Sequence, residues 1–98
     1  MATSVGVAHV TLYLDATSSL KEKRRLVKSL TQRLRNKFNF AVAEVADLDD
    51  MRLATIAIVC VSNAAPHAQE MLSKAIEFVE RNLEMGVVGE IETEFISL

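Results

Sequence analysis

The residues best placed to do chemistry are cations. Between Leu20 and Lys37 stand eight basic residues, Lys21, Lys23, Arg24, Arg25, Lys28, Arg33, Arg35 and Lys37, against one acid, Glu22. From Phe38 to Leu98 the balance reverses, to eleven acids and three bases, and Asp15 brings the chain to −2. A pI near 5.6 hides this segregation, which says more about partners than the total does. Wound as a helix, Lys21, Arg24, Arg25, Lys28 and Arg35 share one side with Gln32. At ~1.5 Å per residue they form a ridge roughly 20 Å long. Such a ridge could follow a phosphate backbone, with binding that weakens steeply as salt rises. Cations near a helix start oppose its dipole, so helix stability does not account for Lys21, Arg24 and Arg25. The plainer reading is a solvated face that offsets acids elsewhere in the chain. No aromatic interrupts the ridge, so sequence reading by base stacking is not expected there.

The other polar groups are less promising. Asp47, Asp49 and Asp50 lack the glycine and terminal glutamate of a calcium loop, and an aspartate-rich turn explains them more simply. His9, His67 and Cys60 have no metal-ligand spacing. A nucleophile–base pair would need a serine or Cys60 with His9 or His67, and nothing in the spacing supports one. Three scattered glycines make no phosphate-cradling loop. We therefore expect no catalytic residues, no metal and no cofactor, and a binding protein instead of an enzyme. One cysteine excludes an internal disulfide and fits a reducing compartment. The N-terminus lacks a basic segment before an apolar run, and no apolar stretch reaches the ~18 residues of a membrane span. The expectation is a cytoplasmic protein without a membrane role.

The elements that would position these groups read clearly. Ninety-eight residues, half of them hydrophobic, make one domain over residues 1–98 with a core of its own. Val5 to Leu14 reads as a strand, with Ala8, Val10, Leu12 and Leu14 on one side and Val7, His9, Thr11 and Tyr13 on the other. Ser19-Leu20-Lys21-Glu22 matches a capping box and opens a helix that runs to Lys37. Leu20, Val27, Leu30, Leu34 and Phe38 form its apolar stripe, with Leu26 at the margin. Lys23 falls inside that stripe and is expected to reach solvent past the helix end. Phe40 to Ala46 and Arg52 to Ser62 read as strands around an Asp47–Asp50 turn. The second of them is apolar on both faces, as in a central strand. Asn63 is a candidate cap for a second helix with Pro66 in its first turn. That helix buries Met71, Leu72, Ala75, Val79 and Leu83, with Ile76 and Phe78 at the margins. Glu70/Lys74 and Glu77/Arg81 pair along it. Gly86 and Gly89 mark its exit, and Glu90 to Leu98 is the last strand.

The order β-α-β-β-α-β, with right-handed crossovers, gives a ferredoxin-like α+β sandwich: a four-stranded antiparallel sheet with two helices on one face. The open face is expected to carry His9, Thr11, Tyr13, Phe40, Val42, Glu44 and the ladder Glu90, Glu92, Glu94. An apolar centre with a charged rim suits a homodimer or higher oligomer, so His9, Thr11, Tyr13, Phe40 and Val42 are the candidate interface. The glutamates would repel phosphate, which argues against RNA on that face.

Three stretches carry a family likeness: Ser19-Leu20-Lys21-Glu22-Lys23-Arg24-Arg25, Phe38-Asn39-Phe40-Ala41-Val42-Ala43-Glu44-Val45, and Val61-Ser62-Asn63. Together they resemble domain-of-unknown-function family 503, the small bacterial YlxP-like proteins, over nearly the whole chain. Phe40 and Ala41 stand where the resemblance leads one to expect smaller or polar residues. The resemblance implies a ferredoxin-like fold and a bacterial, cytoplasmic source. It also implies proximity to translation and ribosome-maturation genes, and hence contact with RNA or the ribosome. It supplies no activity and no catalytic residues. Two functions stay open: a polyanion-binding protein using Lys21, Arg24, Arg25, Lys28 and Arg35, and a homo-oligomeric protein–protein module with no nucleic-acid role.

Overall fold

The computed structural model describes residues 2–98. The elements are β1 (Ser4–Tyr13), α1 (Leu20–Lys37), β2 (Ala41–Ala46), β3 (Leu53–Ser62), α2 (Ala65–Asn82) and β4 (Val87–Ser97). The sheet order is β2-β3-β1-β4, antiparallel throughout, with both helices on one face. This is the ferredoxin-like arrangement.

Alternation places the core. Ala8, Val10 and Leu12 of β1 and Ala54, Ile56, Ile58 and Cys60 of β3 point toward the helices and are fully or almost fully buried. Val27, Leu30 and Leu34 of α1 and Ala68, Leu72, Ala75 and Val79 of α2 cover them. Gly6 belongs to this side as well. A Cβ there would stand 2.8 Å from Leu72 Cδ1 and 3.1 Å from Cys60 Sγ, so the absent side chain is what lets α2 lie close.

Both helix starts are built from local hydrogen bonds. Ser19 Oγ accepts from the Glu22 amide at 3.0 Å. The Glu22 carboxylate reaches one residue further back than a standard box, to the Ser18 amide at 2.8 Å. At α2 the expected Asn63 cap is corrected: Ala64 is the cap position, with no side-chain bond to the helix. Ser62 Oγ instead accepts from the Ala64 amide at 3.1 Å, a local serine turn that stiffens the entry. The last strand starts three residues earlier than its glutamates mark, at Val87. Gly89 thus lies within β4, where the register against β1 shifts.

Two expectations about side-chain direction are overturned. Phe40 and Val42, assigned to the open face and to an interface, lie on the helix side and are 8% and 6% exposed. The register decides this. Val42 opposes Ile58 and Glu44 opposes Ile56, and opposed residues project from the same face. Phe40 stacks on Phe38 with ring centroids 5.1 Å apart, and Phe38 meets Phe78 edge-on. Ala41, Ala43 and Val45 take the open face instead.

Glu44 turns inward with them, toward Lys23, which does not reach solvent at all. The Lys23 side chain is 0% exposed. Its ammonium lies 2.5 Å from Glu44 Oε2 and donates to the carbonyls of Asp47 at 2.9 Å and Leu48 at 3.4 Å. Three acceptors thus meet its three donors. The same turn is closed by Asp50 N–H on the Asp47 carbonyl, and Asp47 takes a left-handed φ of 63°. Removing one member of a buried ion pair strands the other. Lys23→Met should therefore cost about 3–5 kcal/mol in urea unfolding, and Lys23→Met with Glu44→Leu should recover most of it. Losses that simply add in the double variant would show that the two charges do not depend on each other.

Candidate polyanion-binding face

The outward side of α1 is set by the stripe opposite. With Val27, Leu30, Thr31 and Leu34 buried, and Lys23 fixed internally, the helix has one rotation on the sheet. Lys21, Arg24, Arg25, Lys28 and Arg35 then emerge together on the exposed side. They are not equally free. Arg24 approaches Asp49 at 3.7 Å, a pair open to solvent on both sides and worth little. Arg35 donates to the Val42 carbonyl at 2.5 Å, which holds its guanidinium against β2. Lys21, Arg25 and Lys28 form no ion pair among the described residues.

The other cations of α1 turn toward α2. Arg33 donates to the Asn82 carbonyl at 3.2 Å, at the negative end of α2. Lys37 stands 5.7 Å from the centre of the Phe78 ring. Lys37 also edges an open cleft of about 520 Å³, lined with it by Phe38, Lys74, Phe78 and Arg81. Lys74 is occupied by Glu70 at 2.9 Å and Arg81 by Glu77 at 2.5 Å, the two pairs expected along the helix. Among the described residues the cleft thus keeps one cation without an acidic partner, Lys37, where the α1 ridge has Lys21, Arg25 and Lys28.

The remaining candidates are scattered. Cys60 is buried and bonds the Ala68 carbonyl at 3.6 Å; burial pushes its thiol above the usual cysteine range, away from the reactive thiolate. Ser62 Oγ and His67 Nδ1 lie 2.9 Å apart, a contact that the spacing of the two residues does not disclose. That hydroxyl also accepts the Ala64 amide, and among the described residues no carboxylate is hydrogen-bonded to the imidazole, so the pair reads as part of the helix entry. No three His, Cys, Asp or Glu side chains are grouped to hold a metal among the described residues. Among the same residues no helix is long and apolar enough to cross a membrane.

His9, Thr11 and Tyr13 do share the open face. Around them lie Val5 opposite Val61 and Ile96, Val7 opposite Val59 and Glu94, and His9 opposite Ala57 and Glu92. Neither helix covers these rows. The Tyr13 ring lies over Gly89, where a Cβ would come within 2.1 Å of it, and its hydroxyl bonds both oxygens of Glu90 at 2.9 and 2.6 Å.

Fold and surface together define a ferredoxin-like α+β domain with a cationic helix on one side and an acidic, partly apolar sheet on the other. The chain belongs to the family described as protein of unknown function (DUF503), whose model matches residues 5–91. It is 28% identical over 76 residues to the uncharacterized protein YlxP of Bacillus subtilis (strain 168), covering 78% of this chain and 83% of that one. Among solved structures it is similar to SnoaB, a cofactor-independent oxygenase from Streptomyces nogalater, with TM-score 0.45, 8% identity, and 96% and 90% of the two chains covered. It is also similar to the de novo designed protein Ferredog-Diesel, with TM-score 0.45, 12% identity, and 92% and 83% covered.

The Tyr13–Glu90 bond has a pH signature. The carboxylate beside it raises the Tyr13 phenol above its ordinary value, chiefly through the hydrogen bond, and the same bond lowers Glu90. For Glu90 the contribution is present above the ordinary carboxylate range and lost as pH falls through the lowered value. For Tyr13 it is present below the ordinary value near 10 and lost as pH rises through the raised one. The bond therefore holds across neutral pH. Tyr13 is the chain's one tyrosine, so absorbance at the phenolate band reads it alone. The midpoint should lie above the free-tyrosine value and return to it in Glu90→Ala; an unchanged midpoint would mean the bond does not persist in solution.

Proposed function

We propose that this protein is a non-enzymatic binding protein that grips the phosphate backbone of structured RNA, such as that of a ribosomal particle. The contacts are Lys21, Arg24, Arg25, Lys28 and Arg35 on the exposed side of α1. One observation carries the reading. Among the described residues Lys21, Arg25 and Lys28 have no acidic partner, while Glu92 and Glu94 of β4 stand on the opposite face of the sheet and two glutamates of α2 are paired with Lys74 and Arg81. Among those residues, ion pairing from outside the helix reaches this ridge only at Asp49. The backbone of α1 is held by its buried side, so the spacing of the row is set before a partner arrives.

The test is binding to purified ribosomal subunits or to a ribosomal RNA helix across a salt series. Affinity should fall steeply with salt, and replacing Lys21, Arg25 and Lys28 with alanine should reduce the logarithmic slope by about 3, one for each phosphate no longer neutralised. A folded variant with unchanged affinity and slope sinks the proposal.

A second reading rests on the open face. Val5, Val7, Val59, Val61 and Ile96 form an uncovered apolar patch beside His9, Thr11 and Tyr13, of the kind that closes a two-fold dimer. Light scattering should then give twice the monomer mass at low and high salt, and Val59→Glu should halve it without unfolding the chain. A monomeric wild type at both salts excludes this assembly.

A further inference from the structure

The sheet has two edges, and they are treated differently. β2 is six residues long, its register slips between Glu44 and Ala46, and Arg35 occupies the Val42 carbonyl. β4 is eleven residues long, contains neither proline nor lysine, and is exposed from Glu90 to its end. Its register shift lies at the Gly89 end, and from Ile91 to Ser97 its edge protection is the charge of Glu92 and Glu94.

The outward groups of β4 can be assigned. Thr3 and Leu98 exchange both backbone bonds, Thr3 N–H to the Leu98 carbonyl at 3.1 Å and Leu98 N–H to the Thr3 carbonyl at 2.8 Å. The register continues without a shift from Ser4 opposite Ser97 to Val10 opposite Ile91. In an antiparallel ladder, doubly bonded pairs alternate with unbonded ones. Ile96, Glu94 and Glu92 therefore bond inward to β1. The N–H and C=O groups of Ile91, Thr93, Phe95 and Ser97 point away from the sheet and have no backbone partner among the described residues.

The side chains add a pattern to this row. Ile91 and Phe95 project on the helix side, opposite Val10 and Gly6, yet remain 39% and 38% exposed. Glu92 and Glu94 project on the other side, opposite His9 and Val7. Neither glutamate forms an ion pair among the described residues.

We infer that β4 is a docking edge for an extended segment of a partner protein in which basic and apolar residues alternate. The segment adds as a fifth strand to the free groups of Ile91, Thr93, Phe95 and Ser97. Its apolar side chains lie beside Ile91 and Phe95, and its lysines or arginines lie beside Glu92 and Glu94. Charge disfavours a second copy of β4 in the registers of greatest overlap. Antiparallel self-pairing through the same outward groups opposes residues of equal parity; centred on Thr93, it sets Glu92 against Glu94 of the other copy, like charge against like.

The probe is the capped heptapeptide Lys-Val-Lys-Val-Arg-Val-Lys, titrated calorimetrically and followed by amide hydrogen exchange. Binding should be saturable and weakened by salt, and it should slow exchange at Ile91, Thr93, Phe95 and Ser97. Thr93→Pro removes an outward N–H and no ladder bond, so the variant should fold and bind about tenfold more weakly. Exchanging Glu92 and Glu94 for lysine should transfer the preference to the peptide with glutamate in place of its basic residues. That arm stands even if the proline variant fails to fold. Equal binding of the glutamate peptide by the wild type overturns the inference. So does concentration-dependent protection of the same four amides without peptide, which makes a second copy the occupant.

Discussion

Lys23 is the constraint on which the rest of the structure hangs. A buried ammonium is costly unless each donor is met, and here the acceptors come from three places. Glu44 lies on an edge strand, and Asp47 and Leu48 lie in the turn that follows it. One side chain of α1 thus fixes the position of β2, the shape of the β2–β3 turn and the rotation of α1. The left-handed backbone at Asp47 is part of the same arrangement, since it directs two successive carbonyls at one point. An apolar residue at position 23 would fill the space but leave Glu44 and the Leu48 carbonyl without their lysine partner, and the Asp47 carbonyl with the Asp50 amide alone.

That internal use of one cation explains the layout of the others. The segment from Leu20 to Lys37 is strongly basic, yet its cations do different work. Lys23 is structural. Arg33 and Lys37 tie the C-terminal end of α1 to α2, through a carbonyl and an aromatic ring. Arg35 braces β2. What remains free in water is a shorter row than the composition suggests, with Lys21, Arg25 and Lys28 its members unpaired among the described residues. A polyanion contact built on such a row would depend strongly on salt.

Most of the architecture is legible from periodicity. The alternation of Val5 to Leu14, the capping serine and the stripe of α1 place their elements correctly because each is a local statement. The failures are all questions of which neighbour lies opposite. Phe40, Val42 and Glu44 alternate with alanines and a valine, and Glu44 makes the whole set look solvent-facing. In the fold the register with β3 turns the set inward, and the glutamate is mostly enclosed because a lysine waits there. Lys23 misleads in the same way from the other end. A lysine and a glutamate each standing in an otherwise apolar row, on elements that pack together, are a signal for a buried pair, although neither row shows it alone. Residue type favours Asn63 as a cap, whereas the helix begins from Ala64, one residue later, without a side-chain cap.

The opposed placement of charge has a consequence for how the two proposed surfaces work together. The α1 ridge is positive and lies on the helix side; Glu92 and Glu94 are negative and lie on the open side of β4. A polyanion is drawn to the first and repelled by the second, so the field of the chain orients it before contact. An extended basic segment meets the reverse field and is steered to β4. The same glutamates oppose each other when two copies of β4 pair with their centres at Thr93. An edge protected by glutamates from its own kind, but not from an extended basic chain, is more specific than one blunted outright, because a single pattern of charge both excludes the wrong strand and admits the right one.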